Sequence, residues 1–234
     1  LYRRDHLPID VVISPEREVA EAALRRLSAP SAFDIETFMG GKAQVLGIRL
    51  EADCPVINTP LRQLSDLFST LKVIVIGVRR KGRLFAPDAG DQLFVGDECY
   101  LCIAREDVPR TLEVFGKSSA KQERVVLIGG GNVGLTVAQA LEKHETRIRA
   151  KVIERNRTTA EHAADALERT IVLNGDGLDV ALLAEANIER ADAVLCVTDD
   201  DKTNLLAAVR AKSEGCKMAI ALINDPTLIP LMAP

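Results

Sequence analysis

The stretch from Val125 to Glu142, VVLIGGGNVGLTVAQALE, lies about halfway along this chain of 234 residues and decides its fold class. Four apolar residues precede Gly129, Gly131 and Gly134, which stand in G-x-G-x-x-G order, and a run of helix-forming residues follows. A strand, a glycine-rich turn and a helix in this order are the fingerprint of a dinucleotide-binding unit. The stretch therefore predicts a doubly wound, Rossmann-like α/β fold.

Each glycine of this fingerprint has its own task. Gly129 makes the tight turn, Gly131 lets a backbone approach a pyrophosphate, and Gly134 permits close packing of the helix. The backbone N–H groups of Asn132 and Val133 would then face phosphates at the helix N-terminus. The alternative is a glycine turn that only packs and holds no ligand.

An acid follows the second predicted strand, twenty residues after Gly134. Glu154 stands where a carboxylate accepts hydrogen bonds from the two hydroxyls of an adenosine ribose, which favours NAD over NADP. Its neighbours Arg155 and Arg157 favour NADP instead, because arginines there can hold a 2′-phosphate. An exposed glutamate that starts a loop is the alternative without a ligand.

Two further polar stretches follow the third and fourth predicted strands. NGDGLD places Asp176 and Gly177 at the carboxyl edge of the sheet, where Asp176 could bond an adenine amino group or simply form the turn. TDDDKTN begins with Thr198 and Asp199 and resembles a metal site or a general-base cluster. Because Thr198 and Asp201 also have capping-box spacing, we favour helix capping over a metal.

Strands and helices alternate from residue 124 onward, which predicts right-handed crossovers and a parallel sheet. The five predicted strands are 125–128, 148–153, 170–173, 193–197 and 218–223. We expect the sheet to be incomplete, since the sequence stops before a sixth strand. The domain is accordingly assigned to 124–234.

The first half of the chain has a different pattern. Residues 1–30 predict a strand at 9–13 and a helix with Ser14 as N-cap and Pro15 first, which is typical of the tail of another domain. Residues 31–116 predict a small α+β domain with β-rich runs, a helical segment at 61–68 and a final helix. Gly90 and Gly96, each before an aspartate, are expected to adopt positive φ in turns. Residues 117–123 form a polar linker.

The composition excludes several classes of protein. Thirty basic and 34 acidic residues give a net charge of −4, so nucleic acid is not expected as a partner. The apolar runs are shorter than the roughly 18 residues of a membrane span, and no signal peptide is visible, which favours the cytoplasm. The five cysteines contain a single C-x-x-C, at Cys99 and Cys102, whose side chains would lie on opposite faces of a strand. Buried thiols are therefore expected rather than a zinc or redox site.

Groups suited to catalysis are scarce in the second half. Hydride transfer needs a proton donor or acceptor beside the nicotinamide, normally His, Lys or Tyr. The histidines after Val125 are His144 and His162, both in charged helical segments that indicate a solvated face. We therefore predict no catalytic residues, no metal and no enzymatic activity. The basic run RRKGR at 79–83 is interpreted as a solvated hairpin turn, and contact with a partner or an anionic ligand is the alternative.

Taken together, these motifs resemble a known family. GGGNVG, the ERN after the second strand, NGD and ADAVLCVTDDDKTNLLA resemble an N-terminal TrkA domain, also called an RCK (regulator of potassium conductance) domain. VIVIGVRRKG, the P-x-x-G-D at 87–91 and GDECYLCIA resemble the C-terminal TrkA domain, and LPIDVVISPE resembles the end of another N-terminal one. The implied order is the tail of a first nucleotide domain, a whole C-terminal domain and most of a second nucleotide domain.

The resemblance implies a regulatory function. Domains of this family bind NAD(H) or ATP/ADP in the Rossmann cleft, dimerise, assemble into a tetrameric ring and bias a Trk-type membrane potassium transporter toward open or closed. They do so at the inner face of the cell membrane. The family's phosphate turn corresponds to Gly129, Gly131 and Gly134, its ribose acid to Glu154 and its adenine-side acid to Asp176.

One position departs from the family pattern, because Leu222 stands where many members have an arginine that reaches toward phosphate. Weaker binding of a triphosphate is therefore expected. Two alternatives to a nucleotide-dependent regulator stay open. One is a fragment of an NAD-dependent oxidoreductase, and the other is a scaffold whose cleft has lost its ligand.

Overall fold

A computed structural model describes residues 14–29, 31–117, 123–144 and 147–231. The strand predicted at 9–13 lies outside these residues. The described residues of 25–117 form one compact unit, which we call the antiparallel unit. Those of 123–231 form a second one, the parallel unit, which also includes residues 14–24.

Helix α1 (Pro15–Ser28) begins where the sequence predicts. Pro15 occupies the first helical position, and the acidic residues Glu16 and Glu18 lie in the first turn, close to the positive end of the helix dipole. The basic residues Arg25 and Arg26 lie in the last turn.

The antiparallel unit is built on a five-stranded sheet with the order β1-β2-β5-β3-β4. Its elements are β1 (Ala32–Phe38), β2 (Ala43–Arg49), α2 (Ser65–Thr70), β3 (Val73–Arg80), β4 (Arg83–Phe85), β5 (Glu98–Ala104) and α3 (Val108–Val114). Leu46, Ile48, Leu101 and Ile103 project from the central strands β2 and β5 into one core with Phe115. Alternate residues of β5 are buried, as expected for a strand with one covered face.

Several details of this unit differ from the sequence prediction. Strand β1 was not predicted, because acidic residues at Asp34 and Glu36 interrupt its apolar pattern. The predicted helix at 61–68 divides into a 3-10 turn, Leu61–Gln63, and the short α2. Gly96 adopts a φ of 87°, as predicted, whereas Gly90 does not adopt a positive φ.

The basic run at 79–83 forms the predicted hairpin. Strands β3 and β4 pair with Arg80 opposite Arg83, and Lys81 and Gly82 occupy the two turn positions with φ values of 50° and 81°. Two consecutive residues with positive φ are typical of a type I′ turn. The C-x-x-C prediction is also confirmed, since Cys99 is buried in the core while Cys102 is only half-buried on the opposite face.

The parallel unit contains the predicted doubly wound sheet, with the order β10-β9-β6-β7-β8 and all neighbours parallel. Its elements are β6 (Arg124–Ile128), α4 (Asn132–His144), β7 (Arg149–Glu154), α5 (Arg157–Ala166), β8 (Ile171–Asn174), α6 (Val180–Glu185), β9 (Ala193–Cys196), α7 (Asp201–Ser213) and β10 (Met218–Ala221). All five strands lie within about two residues of the predicted bounds. The central strands β6 and β9 are almost entirely buried, because helices cover both faces of such a sheet.

The strand order reverses between β6 and β9. The chain moves from β6 outward to β7 and β8, and then returns to place β9 on the other side of β6. In open α/β sheets ligands bind outside the carboxyl ends of the strands at such a switch point. The topology therefore directs attention to the segments that follow Ile128 and Cys196.

No helix among the described residues combines the length and the apolar content that crossing a membrane requires.

Candidate functional site

A cleft of about 900 Å³ opens at the carboxyl ends of the parallel strands. Ten of the eleven residues predicted to bind a nucleotide line it: Gly129, Gly131, Asn132, Val133, Glu154, Arg155, Asp176, Gly177, Thr198 and Asp199. Gly134 is the exception, because it is buried behind the turn. Residues that the sequence placed on four different loops thus meet at one edge of the sheet.

The glycine turn is shaped by three different constraints. Gly129 has a φ of 110°, and a Cβ there would lie 2.9 Å from the Thr198 nitrogen. A Cβ on Gly134 would lie 1.9 Å from the carbonyl oxygen of Gly129, so only glycine allows α4 to pack this close. A Cβ on Gly131 would meet nothing within 4 Å. The turn is therefore tight on the protein side and open on the cleft side.

Helix α4 begins at this turn and points its N-terminus into the cleft. Its first helical hydrogen bond is donated by the Leu135 N–H to the Gly131 carbonyl, at 2.8 Å. The preceding N–H groups, including those of Asn132 and Val133, have no partner within the helix. Free N–H groups together with the positive end of the helix dipole suit an anionic group such as a phosphate.

Glu154 ends β7 and connects it to the glycine turn. One carboxylate oxygen accepts a hydrogen bond from the Gly130 N–H at 2.6 Å, and the other accepts one from the Asn156 N–H at 2.7 Å. Each oxygen retains a further lone pair. The carboxylate is thus fixed in place, and it can still accept hydrogen bonds from a pair of hydroxyls.

The sequence predicts either a ligand contact or a turn for Asp176, and the structure shows the turn. One of its carboxylate oxygens accepts from the Leu178 N–H at 2.9 Å. Gly177 follows because a Cβ there would lie 2.4 Å from the Ile128 side chain. The second carboxylate oxygen of Asp176 has no hydrogen-bond partner among the described residues and belongs to a side chain that lines the cleft.

The acidic stretch after β9 caps α7, as we favoured, but through a different residue. Asp200, not Thr198, is the N-cap, and its carboxylate accepts from the N–H groups of Lys202 and Thr203. Hydrogen bonds from the Thr203 hydroxyl and N–H lower the pKa of Asp200. Asp201 does not reach back to Thr198 and instead accepts from Asn224 and Asp225. The capping-box assignment was therefore wrong, because the segment after β10 competes for Asp201.

The described residues contain no group of three or more His, Cys, Asp or Glu side chains placed to share a metal ion.

Thr198 itself is held by Asn204, a residue that the sequence reading did not assign to the site. Asn204 is fully buried, and its side-chain oxygen accepts from the Thr198 N–H at 2.8 Å and the Thr198 hydroxyl at 2.7 Å. The only signal in the sequence was an amide side chain on the inner face of a helix, where an apolar residue is usual.

Other lining residues were also missed by the sequence reading. Asn156, Thr159, Thr203 and Asn224 contribute polar groups to the cleft. Asn156 caps α5 by accepting from the Thr159 N–H at 3.1 Å, so its position after an acid and before a helix was a usable signal. Asn224 belongs to the segment after β10, and no local pattern placed it near the glycine turn.

The charge of the cleft is predominantly negative. Carboxylates from Glu16, Glu154, Asp176, Asp199 and Asp200 line it. Arg155 also lines it and forms no ion pair with a described residue, whereas Arg157 pairs with Glu161 at 2.9 Å on the surface. Leu222 lines the cleft at the position where the resemblance leads one to expect an arginine.

The side chains that line the cleft offer hydrogen-bonding groups rather than proton-transfer groups. Among the described lining residues there is no His, Lys, Tyr or Cys. His162 lies on an exposed face of α5, as predicted. The arrangement can bind an anion at the N-terminus of α4 and a pair of hydroxyls at Glu154.

Two family domains match this chain. Residues 125–233 match the TrkA-N domain, and residues 45–116 match the TrkA-C domain. The Trk system potassium uptake protein TrkA of Azorhizobium caulinodans is 42% identical over 95% of this chain. The TrkA homolog 2 of Methanosarcina mazei is 34% identical over 97% of it. The chain spans about half the length of these relatives, 48% and 50%.

Solved structures show the same fold. The GsuK RCK domain aligns with a TM-score of 0.50 and 17% identity over 90% of this chain and 49% of that chain. A GsuK channel bound to NAD aligns with the same TM-score over 89% of this chain and 40% of that one. A TrkA-C domain followed by a TrkA-N domain, together with the identity to TrkA proteins along nearly all of its length, shows that this chain belongs to the TrkA family.

Proposed function

We propose that this chain is a nucleotide-binding regulatory segment whose cleft takes NAD(H), or alternatively ATP/ADP. One arrangement carries the proposal: the open side of the glycine turn, the free N–H groups of α4 and the fixed carboxylate of Glu154 share a single cleft. The first two suit phosphates and the third suits ribose hydroxyls. We assign Asp176, through its free oxygen, to the adenine side, and Thr198 and Asp199 to the opposite rim.

Charge supports a dinucleotide over a triphosphate. The cleft is lined by several carboxylates, and Arg155 is the single cation among the described lining residues. A pyrophosphate that is esterified at both ends carries less negative charge than a free triphosphate, so it is repelled less by these carboxylates. Leu222 offers no cation to a γ-phosphate. We therefore rank NAD(H) ahead of ATP/ADP, and we assign Arg155 to the rim rather than to a 2′-phosphate.

The names of the relatives support a role in potassium uptake. Three relatives that match nearly all of this chain are Trk system potassium uptake proteins. We propose that the whole protein is a cytoplasmic subunit that gates a Trk-type membrane potassium transporter, and that it dimerises and assembles into a tetrameric ring. In this assignment residues 1–30 are the tail of a first nucleotide domain, 31–116 the C-terminal-type domain, 117–123 a linker and 124–234 the second nucleotide domain.

Regulation would rest on a difference in affinity. A nucleotide that binds one conformation of the ring more tightly than another shifts the population toward that conformation. Only this difference, and not the affinity itself, can open or close a pore. No bond of the ligand has to change.

Calorimetric titration with NADH, NAD, NADPH, ATP and ADP tests the proposal, with Glu154→Ala as the comparison. We expect saturable binding that is strongest for NAD(H), weaker for NADPH and ATP, and greatly reduced in the variant, because the variant loses both the ribose acceptor and the bonds to Gly130 and Asn156. The full-length protein is titrated in parallel. The absence of binding to all five ligands in both proteins would contradict the proposal and support a scaffold whose cleft has lost its ligand.

The same samples separate a regulator from an oxidoreductase. NADH is incubated with the protein and a panel of small carbonyl compounds, and its absorbance is followed over time. We expect no protein-dependent loss of NADH. Turnover that disappears in Glu154→Ala would instead support an NAD-dependent oxidoreductase.

A further inference from the structure

We infer that Asn204 and Asp201, both on the first turns of α7, are positioning residues of the nucleotide cleft. They hold its two rim segments, which we call the β9 rim (197–200) and the β10 rim (222–225). Neither residue lines the cleft. The inference rests on the proposed function, because it assigns these residues a share of the ligand affinity.

Asn204 makes every hydrogen bond that an amide side chain can make. Its oxygen accepts from the N–H and the hydroxyl of Thr198, and its nitrogen donates to the carbonyls of Thr198 at 3.0 Å and Leu222 at 2.9 Å. Two acceptor sites and two donor hydrogens are all used. No other side chain of this size carries the same set, so the connection between the two rims requires asparagine.

The bond to the Thr198 N–H reaches the phosphate turn through direct packing. Gly129 lies against the backbone of Val197 and Thr198, and a Cβ added to Gly129 would lie 2.9 Å from the Thr198 nitrogen. This contact is tightly packed, because it leaves no room for a methyl group on Gly129. The position of Thr198, which Asn204 fixes, therefore also fixes the back of the glycine turn that faces the ligand.

Asp201 holds the second rim from the other side of the helix turn. Its carboxylate accepts from the N–H groups of Asn224 at 2.9 Å and Asp225 at 2.7 Å, and from the Asn224 side chain at 3.0 Å. These bonds lower the pKa of Asp201. Asn224 lines the cleft, whereas Asp201 does not. Asp201 can therefore act on a ligand only through the position of the β10 rim.

Together the two side chains tie both rims to one rigid element. Asn204 connects the ends of β9 and β10 beneath the cleft, and Asp201 connects the start of α7 to the residues that follow β10. A ligand that contacts Thr198 or Asn224 would meet groups that are already in place, so less ordering opposes binding. Loss of either residue should weaken binding although no group that touches the ligand is removed.

The test uses Asn204→Asp, Asp201→Ala and a control at the opposite edge of the same sheet, Asp192→Asn. Asp192 is also buried and accepts hydrogen bonds from backbone N–H groups, but it lies at the amino ends of the strands. The control therefore lowers stability without touching either rim. Each variant is titrated with NADH at a temperature where its thermal unfolding curve shows a folded protein.

We expect the dissociation constant to rise about tenfold in Asn204→Asp and by a smaller factor in Asp201→Ala, and to stay at the wild-type value in Asp192→Asn. Asp201→Asn, which keeps one acceptor oxygen, should recover part of the affinity. Amide hydrogen exchange provides a second measurement: the Thr198 N–H should exchange faster in Asn204→Asp, and the Asn224 and Asp225 N–H groups should exchange faster in Asp201→Ala.

Each outcome separates the inference from the proposed function. If the wild type binds NADH and both rim variants bind it equally well, the positioning role is wrong while the nucleotide cleft stands. An equal loss of affinity in Asp192→Asn would reduce the effect to general stability and would also refute the inference. If the full-length wild type binds none of the five nucleotides, the inference and the proposed function are both wrong. Should Asn204→Asp fail to fold, Asp201→Ala decides alone, since its side chain lies at the surface.

Discussion

At the scale of single residues, the glycines of one turn carry opposite constraints. Gly134 faces the protein, where the Gly129 carbonyl leaves no room for a methyl group, while Gly131 faces open space in the cleft. The sequence motif presents both as equivalent letters. Their surroundings show that one glycine serves folding and the other leaves room for a ligand.

This difference gives a matched pair of variants. Gly134→Ala should lower the thermal unfolding midpoint strongly, because its Cβ would lie 1.9 Å from the Gly129 oxygen and α4 would have to move. Gly131→Ala should leave the midpoint nearly unchanged and weaken nucleotide binding, because the methyl group occupies the approach to the N–H groups of α4. Calorimetry and thermal unfolding measure the two effects. A strong loss of stability in Gly131→Ala with unchanged binding would contradict this assignment.

At the scale of secondary structure elements, the sheet is closed at its amino edge by one aspartate. Asp192, just before β9, accepts from the N–H groups of Glu123 and Arg124 at 3.0 Å and from the Lys217 ammonium at 2.8 Å. It thereby connects the starts of β6, β9 and β10. Burial raises the pKa of Asp192, but the hydrogen bonds from Lys217 and the two backbone N–H groups outweigh burial and hold the pKa at about 2.

The depressed pKa of Asp192 predicts a pH dependence of stability. Its folded-state pKa of about 2 lies below the value of about 3.9 in an unfolded chain, so the stabilisation is complete above about pH 5 and is lost progressively as the pH falls through 4 toward 2. At pH 7 we expect Asp192→Asn to lower the free energy of unfolding on the order of 2 kcal/mol. Urea titrations of both proteins at pH 7, 4 and 3 measure it.

The gap between wild type and Asp192→Asn should narrow from pH 4 to pH 3. Asp199→Asn is the control, since the Asp199 side chain makes no hydrogen bond to a described residue and should change stability little at any pH. A gap that widens as the pH falls would show that Asp192 does not stabilise the fold as a carboxylate.

Elements were predicted well where their periodicity was strong. All five strands of the parallel sheet were located from apolar runs, because a strand buried on both faces needs a continuous apolar stretch. Strand β1 was missed, since it is largely exposed and carries acids at alternate positions. The capping of α7 was assigned to the wrong residue, because the competing partners of Asp201 lie more than twenty residues away in the sequence.

At the scale of the whole molecule, the cleft belongs to the parallel unit alone. All of its lining residues lie in that unit. A bound nucleotide should therefore stabilise the parallel unit first.

Results

Sequence analysis

The stretch from Val125 to Glu142, VVLIGGGNVGLTVAQALE, lies about halfway along this chain of 234 residues and decides its fold class. Four apolar residues precede Gly129, Gly131 and Gly134, which stand in G-x-G-x-x-G order, and a run of helix-forming residues follows. A strand, a glycine-rich turn and a helix in this order are the fingerprint of a dinucleotide-binding unit. The stretch therefore predicts a doubly wound, Rossmann-like α/β fold.

Each glycine of this fingerprint has its own task. Gly129 makes the tight turn, Gly131 lets a backbone approach a pyrophosphate, and Gly134 permits close packing of the helix. The backbone N–H groups of Asn132 and Val133 would then face phosphates at the helix N-terminus. The alternative is a glycine turn that only packs and holds no ligand.

An acid follows the second predicted strand, twenty residues after Gly134. Glu154 stands where a carboxylate accepts hydrogen bonds from the two hydroxyls of an adenosine ribose, which favours NAD over NADP. Its neighbours Arg155 and Arg157 favour NADP instead, because arginines there could hold a 2′-phosphate. An exposed glutamate that starts a loop is the alternative without a ligand.

Two further polar stretches follow the third and fourth predicted strands. NGDGLD places Asp176 and Gly177 at the carboxyl edge of the sheet, where Asp176 could bond an adenine amino group or simply form the turn. TDDDKTN begins with Thr198 and Asp199 and resembles a metal site or a general-base cluster. Because Thr198 and Asp201 also have capping-box spacing, we favour helix capping over a metal.

Strands and helices alternate from residue 124 onward, which predicts right-handed crossovers and a parallel sheet. The five predicted strands are 125–128, 148–153, 170–173, 193–197 and 218–223. We expect the sheet to be incomplete, with a sixth strand missing. This domain is assigned to 124–234.

The chain opens with a strand and a helix. Residues 1–30 predict a strand at 9–13 and then a helix with Ser14 as N-cap and Pro15 in the first helical position. A strand and a helix this close to the start have no core of their own. We interpret them as the tail of another domain.

The middle of the chain has a different pattern. Residues 31–116 predict a small α+β domain with β-rich runs, a helical segment at 61–68 and a final helix. Gly90 and Gly96, each before an aspartate, are expected to adopt positive φ in turns. Residues 117–123 form a polar linker.

The composition excludes several classes of protein. Thirty basic and 34 acidic residues give a net charge of −4, so nucleic acid is not expected as a partner. The apolar runs are shorter than the roughly 18 residues of a membrane span, and no signal peptide is visible, which favours the cytoplasm. The five cysteines contain a single C-x-x-C, at Cys99 and Cys102, whose side chains would lie on opposite faces of a strand. Buried thiols are therefore expected rather than a zinc or redox site.

Groups suited to catalysis are scarce in the second half. Hydride transfer needs a proton donor or acceptor beside the nicotinamide, normally His, Lys or Tyr. The histidines after Val125 are His144 and His162, both in charged helical segments that indicate a solvated face. We therefore predict no catalytic residues, no metal and no enzymatic activity. The basic run RRKGR at 79–83 is interpreted as a solvated hairpin turn, and contact with a partner or an anionic ligand is the alternative.

Taken together, these motifs resemble a known family. GGGNVG, the ERN after the second strand, NGD and ADAVLCVTDDDKTNLLA resemble an N-terminal TrkA domain, also called an RCK (regulator of potassium conductance) domain. VIVIGVRRKG, the P-x-x-G-D at 87–91 and GDECYLCIA resemble the C-terminal TrkA domain, and LPIDVVISPE resembles the end of another N-terminal one. The implied order is the tail of a first nucleotide domain, a whole C-terminal domain and most of a second nucleotide domain.

The resemblance implies a regulatory function. Domains of this family bind NAD(H) or ATP/ADP in the Rossmann cleft, dimerise, assemble into a tetrameric ring and bias a Trk-type membrane potassium transporter toward open or closed. They do so at the inner face of the cell membrane. The family's phosphate turn corresponds to Gly129, Gly131 and Gly134, its ribose acid to Glu154 and its adenine-side acid to Asp176.

One position departs from the family pattern, because Leu222 stands where many members have an arginine that reaches toward phosphate. Weaker binding of a triphosphate is therefore expected. Two alternatives to a nucleotide-dependent regulator stay open. One is a fragment of an NAD-dependent oxidoreductase, and the other is a scaffold whose cleft has lost its ligand.

Overall fold

A computed structural model describes residues 14–29, 31–117, 123–144 and 147–231. The strand predicted at 9–13 lies outside these residues. The described residues of 25–117 form one compact unit, which we call the antiparallel unit. Those of 123–231 form a second one, the parallel unit, which also includes residues 14–24.

Helix α1 (Pro15–Ser28) begins where the sequence predicts. Pro15 occupies the first helical position, where its missing N–H costs nothing. Glu16 and Glu18 lie in the first turn, close to the positive end of the helix dipole, and two arginines lie in the last turn.

The antiparallel unit is built on a five-stranded sheet with the order β1-β2-β5-β3-β4. Its elements are β1 (Ala32–Phe38), β2 (Ala43–Arg49), α2 (Ser65–Thr70), β3 (Val73–Arg80), β4 (Arg83–Phe85), β5 (Glu98–Ala104) and α3 (Val108–Val114). Leu46, Ile48, Leu101 and Ile103 project from the central strands β2 and β5 into one core with Phe115. Alternate residues of β5 are buried, as expected for a strand with one covered face.

Several details of this unit differ from the sequence prediction. The sequence does not predict β1, because acidic residues at Asp34 and Glu36 interrupt its apolar pattern. The predicted helix at 61–68 divides into a 3-10 turn, Leu61–Gln63, and the short α2. Gly96 adopts a φ of 87°, as predicted, whereas Gly90 does not adopt a positive φ.

The basic run at 79–83 forms the predicted hairpin. Strands β3 and β4 pair with Arg80 opposite Arg83. Lys81 and Gly82 occupy the two turn positions with φ values of 50° and 81°. Two consecutive residues with positive φ are typical of a type I′ turn, which matches the twist of the flanking strands.

The two cysteines of the C-x-x-C motif lie on opposite faces of β5, as predicted. Cys99 is buried in the core, whereas Cys102 is only half-buried. Burial raises the pKa of the Cys99 thiol to about 12, so this thiol stays protonated and has little reactivity.

The parallel unit contains the predicted doubly wound sheet, with the order β10-β9-β6-β7-β8 and all neighbours parallel. Its elements are β6 (Arg124–Ile128), α4 (Asn132–His144), β7 (Arg149–Glu154), α5 (Arg157–Ala166), β8 (Ile171–Asn174), α6 (Val180–Glu185), β9 (Ala193–Cys196), α7 (Asp201–Ser213) and β10 (Met218–Ala221). The bounds of all five strands lie within about two residues of those predicted. Strands β6 and β9 are almost entirely buried, because helices cover both faces of such a sheet.

The strand order reverses between β6 and β9. The chain moves from β6 outward to β7 and β8, and then returns to place β9 on the other side of β6. In open α/β sheets ligands bind outside the carboxyl ends of the strands at such a switch point. The topology therefore directs attention to the segments that follow Ile128 and Cys196.

No helix among the described residues combines the length and the apolar content that crossing a membrane requires.

Candidate functional site

A cleft of about 900 Å³ opens at the carboxyl ends of the parallel strands. Ten of the eleven residues predicted to bind a nucleotide line it: Gly129, Gly131, Asn132, Val133, Glu154, Arg155, Asp176, Gly177, Thr198 and Asp199. Gly134 is the exception, because it is buried behind the turn. Residues that follow four different strands in the sequence thus meet at one edge of the sheet.

The glycine turn is shaped by three different constraints. Gly129 has a φ of 110°, and a Cβ there would lie 2.9 Å from the Thr198 nitrogen. A Cβ on Gly134 would lie 1.9 Å from the carbonyl oxygen of Gly129, so only glycine allows α4 to pack this close. A Cβ on Gly131 would meet nothing within 4 Å. The turn is therefore tight on the protein side and open on the cleft side.

Helix α4 begins at this turn and directs its N-terminus to the cleft. The Leu135 N–H donates a hydrogen bond to the Gly131 carbonyl at 2.8 Å. The preceding N–H groups, including those of Asn132 and Val133, have no partner within the helix. Free N–H groups together with the positive end of the helix dipole suit an anionic group such as a phosphate.

Glu154 ends β7 and connects it to the glycine turn. One carboxylate oxygen accepts a hydrogen bond from the Gly130 N–H at 2.6 Å, and the other accepts one from the Asn156 N–H at 2.7 Å. Each oxygen retains a further lone pair. The carboxylate is thus fixed in place, and it can still accept hydrogen bonds from a pair of hydroxyls.

The sequence predicts either a ligand contact or a turn for Asp176, and the structure shows the turn. One of its carboxylate oxygens accepts from the Leu178 N–H at 2.9 Å. Gly177 packs closely on β6, because a Cβ there would lie 2.4 Å from the Ile128 side chain. The second carboxylate oxygen of Asp176 has no hydrogen-bond partner among the described residues, and the side chain lines the cleft.

The acidic stretch after β9 caps α7, as expected, but through a different residue. Asp200, not Thr198, is the N-cap, and its carboxylate accepts from the N–H groups of Lys202 and Thr203. Hydrogen bonds from the Thr203 hydroxyl and N–H lower the pKa of Asp200.

Asp201 does not make the capping box that the sequence predicts. Its carboxylate accepts from Asn224 and Asp225 instead of reaching back to Thr198. The capping-box assignment is therefore wrong, because the segment after β10 competes for Asp201. The described residues contain no group of three or more His, Cys, Asp or Glu side chains placed to share a metal ion.

Thr198 itself is held by Asn204, a residue that the sequence does not assign to the site. Asn204 is fully buried, and its side-chain oxygen accepts from the Thr198 N–H at 2.8 Å and the Thr198 hydroxyl at 2.7 Å. The signal in the sequence is an amide side chain on the inner face of a helix, where an apolar residue is usual.

Other lining residues also escape the sequence prediction. Asn156, Thr159, Thr203 and Asn224 contribute polar groups to the cleft. Asn156 caps α5 by accepting from the Thr159 N–H at 3.1 Å, so its place just before a helix is a usable signal. Asn224 belongs to the segment after β10, and no local pattern places it near the glycine turn.

The charge of the cleft is predominantly negative. Its carboxylates come from Glu16, Glu154, Asp176, Asp199 and Asp200. Arg155 also lines it and forms no ion pair with a described residue, whereas Arg157 pairs with Glu161 at 2.9 Å on the surface. Leu222 lines the cleft at the position where the resemblance implies an arginine.

The side chains that line the cleft offer hydrogen-bonding groups rather than the usual proton-transfer groups. Among the described lining residues there is no His, Lys, Tyr or Cys. His162 lies on an exposed face of α5, as predicted, and the side chain of His144 lies outside the described part of the chain. The arrangement can bind an anion at the N-terminus of α4 and a pair of hydroxyls at Glu154.

Two family domains match this chain. Residues 125–233 match the TrkA-N domain, and residues 45–116 match the TrkA-C domain. The Trk system potassium uptake protein TrkA of Azorhizobium caulinodans is 42% identical over 95% of this chain. The TrkA homolog 2 of Methanosarcina mazei is 34% identical over 97% of it. The chain spans about half the length of these relatives, 48% and 50%.

Solved structures show the same fold. The GsuK RCK domain aligns with a TM-score of 0.50 and 17% identity over 90% of this chain and 49% of that chain. A GsuK channel bound to NAD aligns with the same TM-score and identity over 89% of this chain and 40% of that one. A TrkA-C domain followed by a TrkA-N domain, together with the identity to TrkA proteins along nearly all of its length, shows that this chain belongs to the TrkA family.

Proposed function

We propose that this chain is a nucleotide-binding regulatory segment whose cleft takes NAD(H), or alternatively ATP/ADP. One arrangement carries the proposal: the open side of the glycine turn, the free N–H groups of α4 and the fixed carboxylate of Glu154 share a single cleft. The first two suit phosphates and the third suits ribose hydroxyls. We assign Asp176, through its free oxygen, to the adenine side, and Thr198 and Asp199 to the opposite rim.

Charge supports a dinucleotide over a triphosphate. The cleft is lined by several carboxylates, and Arg155 is the single cation among the described lining residues. A pyrophosphate that is esterified at both ends carries less negative charge than a free triphosphate, so these carboxylates repel it less. Leu222 offers no cation to a γ-phosphate. We therefore rank NAD(H) ahead of ATP/ADP.

The names of the relatives support a role in potassium uptake. Three relatives that match nearly all of this chain are Trk system potassium uptake proteins. We propose that the whole protein is a cytoplasmic subunit that gates a Trk-type membrane potassium transporter, and that it dimerises and assembles into a tetrameric ring. In this assignment residues 1–30 are the tail of a first nucleotide domain, 31–116 the C-terminal-type domain, 117–123 a linker and 124–234 the second nucleotide domain.

Regulation would rest on a difference in affinity. A nucleotide that binds one conformation of the ring more tightly than another shifts the population toward that conformation. Only this difference, and not the affinity itself, can open or close a pore. No bond of the ligand has to change.

Calorimetric titration with NADH, NAD, NADPH, ATP and ADP tests the proposal, with Glu154→Ala as the comparison. We expect saturable binding that is strongest for NAD(H) and weaker for NADPH and ATP. The variant should bind far more weakly, because it loses both the ribose acceptor and the bonds to Gly130 and Asn156. The full-length protein is titrated in parallel. The absence of binding to all five ligands in both proteins would contradict the proposal and support a scaffold whose cleft has lost its ligand.

The same samples separate a regulator from an oxidoreductase. NADH is incubated with the protein and a panel of small carbonyl compounds, and its absorbance is followed over time. We expect no protein-dependent loss of NADH. Turnover that disappears in Glu154→Ala would instead support an NAD-dependent oxidoreductase.

A further inference from the structure

We infer that Asn204 and Asp201, both on the first two turns of α7, are positioning residues of the nucleotide cleft. They hold its two rim segments, which we call the β9 rim (197–200) and the β10 rim (222–225). Neither residue lines the cleft. The inference rests on the proposed function, because it assigns these residues a share of the ligand affinity.

Asn204 makes every hydrogen bond that an amide side chain can make. Its oxygen accepts from the N–H and the hydroxyl of Thr198, and its nitrogen donates to the carbonyls of Thr198 at 3.0 Å and Leu222 at 2.9 Å. Two acceptor sites and two donor hydrogens are all used. No other side chain of this size carries the same set, so the connection between the two rims requires asparagine.

The bond to the Thr198 N–H reaches the phosphate turn through direct packing. Gly129 lies against the backbone of Val197 and Thr198, and a Cβ added to Gly129 would lie 2.9 Å from the Thr198 nitrogen. This contact is tightly packed, because it leaves no room for a methyl group on Gly129. The position of Thr198, which Asn204 fixes, therefore also fixes the back of the glycine turn.

Asp201 holds the second rim. Its carboxylate accepts from the N–H groups of Asn224 at 2.9 Å and Asp225 at 2.7 Å, and from the Asn224 side chain at 3.0 Å. These bonds lower the pKa of Asp201. Asn224 lines the cleft, whereas Asp201 does not. Asp201 therefore acts on a ligand through the position of the β10 rim.

Together the two side chains tie both rims to one helix. Asn204 connects the ends of β9 and β10 beneath the cleft, and Asp201 connects the start of α7 to the residues that follow β10. A ligand that contacts Thr198 or Asn224 would meet groups that are already in place, so less ordering opposes binding. Loss of either residue should weaken binding although no group that touches the ligand is removed.

The test uses Asn204→Asp, Asp201→Ala and a control at the opposite edge of the same sheet, Asp192→Asn. Asp192 is also buried and accepts hydrogen bonds from backbone N–H groups, but it lies at the amino ends of the strands. The control therefore lowers stability without touching either rim. Each variant is titrated with NADH at a temperature where its thermal unfolding curve shows a folded protein.

We expect the dissociation constant to rise about tenfold in Asn204→Asp and by a smaller factor in Asp201→Ala, and to stay at the wild-type value in Asp192→Asn. Asp201→Asn, which keeps one acceptor oxygen, should recover part of the affinity. Amide hydrogen exchange provides a second measurement. The Thr198 N–H should exchange faster in Asn204→Asp, and the Asn224 N–H should exchange faster in Asp201→Ala.

Each outcome separates the inference from the proposed function. If the wild type binds NADH and both rim variants bind it equally well, the positioning role is wrong while the nucleotide cleft stands. An equal loss of affinity in Asp192→Asn would reduce the effect to general stability and refute the inference. If the full-length wild type binds none of the five nucleotides, the inference and the proposed function are both wrong. Should Asn204→Asp fail to fold, Asp201→Ala decides alone.

Discussion

At the scale of single residues, two glycines of one turn carry opposite constraints. Gly134 faces the protein, where the Gly129 carbonyl leaves no room for a methyl group, while Gly131 faces open space in the cleft. The motif presents both as equivalent letters. Their surroundings show that one glycine is required for packing and that the other leaves room for a ligand.

This difference gives a matched pair of variants. Gly134→Ala should lower the thermal unfolding midpoint strongly, because its Cβ would lie 1.9 Å from the Gly129 oxygen and α4 would have to move. Gly131→Ala should leave the midpoint nearly unchanged and weaken nucleotide binding, because the methyl group occupies the approach to the N–H groups of α4. Calorimetry and thermal unfolding measure the two effects. A strong loss of stability in Gly131→Ala with unchanged binding would contradict this assignment.

At the scale of secondary structure elements, one aspartate fastens the amino edge of the parallel sheet. Asp192, just before β9, accepts from the N–H groups of Glu123 and Arg124 at 3.0 Å and from the Lys217 ammonium at 2.8 Å. It thereby connects the starts of β6, β9 and β10. Burial raises the pKa of Asp192, but the hydrogen bonds from Lys217 and the two backbone N–H groups outweigh burial and hold the pKa at about 2.

The depressed pKa of Asp192 predicts a pH dependence of stability. Its folded-state pKa of about 2 lies below the value of about 3.9 in an unfolded chain, so the stabilisation is complete above about pH 5 and is lost progressively as the pH falls through 4 toward 2. At neutral pH we expect Asp192→Asn to lower the free energy of unfolding on the order of 2 kcal/mol. Urea titrations of both proteins at neutral pH and at two acidic values measure it.

The gap in stability between wild type and Asp192→Asn should narrow as the pH falls below about 4. Asp199→Asn is the control, since the Asp199 side chain makes no hydrogen bond to a described residue and should change stability little at any pH. A gap that widens on acidification would show that Asp192 does not stabilise the fold as a carboxylate.

The sequence predicts elements well where their periodicity is strong. All five strands of the parallel sheet are located from apolar runs, because a strand buried on both faces needs a continuous apolar stretch. Strand β1 escapes prediction, since it is largely exposed and carries acids at alternate positions. The capping box fails because the partners that Asp201 prefers lie 23 and 24 residues away in the sequence.

At the scale of the whole molecule, the cleft belongs to the parallel unit alone. All of its lining residues lie in that unit, and most of them follow the carboxyl ends of its strands. The antiparallel unit has a separate core around β2 and β5. A bound nucleotide should therefore stabilise the parallel unit first.

Hydrogen exchange with and without NADH tests this expectation. At a ligand concentration 100 times the dissociation constant, binding stabilises the unit that holds the site by about 2.7 kcal/mol. Amides of β6, β7 and β9 should therefore exchange more slowly with the ligand present, and ATP or ADP should be compared at the same saturation. Protection confined to β2 and β5 would place the ligand in the other unit and contradict the assignment of the cleft.

The sequence by itself determines the doubly wound sheet, the glycine turn and the acid that ends β7, because each is written in a short continuous pattern. It does not determine the rest of the cleft. The position of Asn224 beside the glycine turn, the connection of two strand ends through Asn204 and the choice of Asp200 as the cap are decided only by tertiary structure. These three features depend on hydrogen bonds between groups that are distant in the sequence and meet at one edge of the sheet. A buried polar group must form a hydrogen bond, and the fold decides which partner lies within reach.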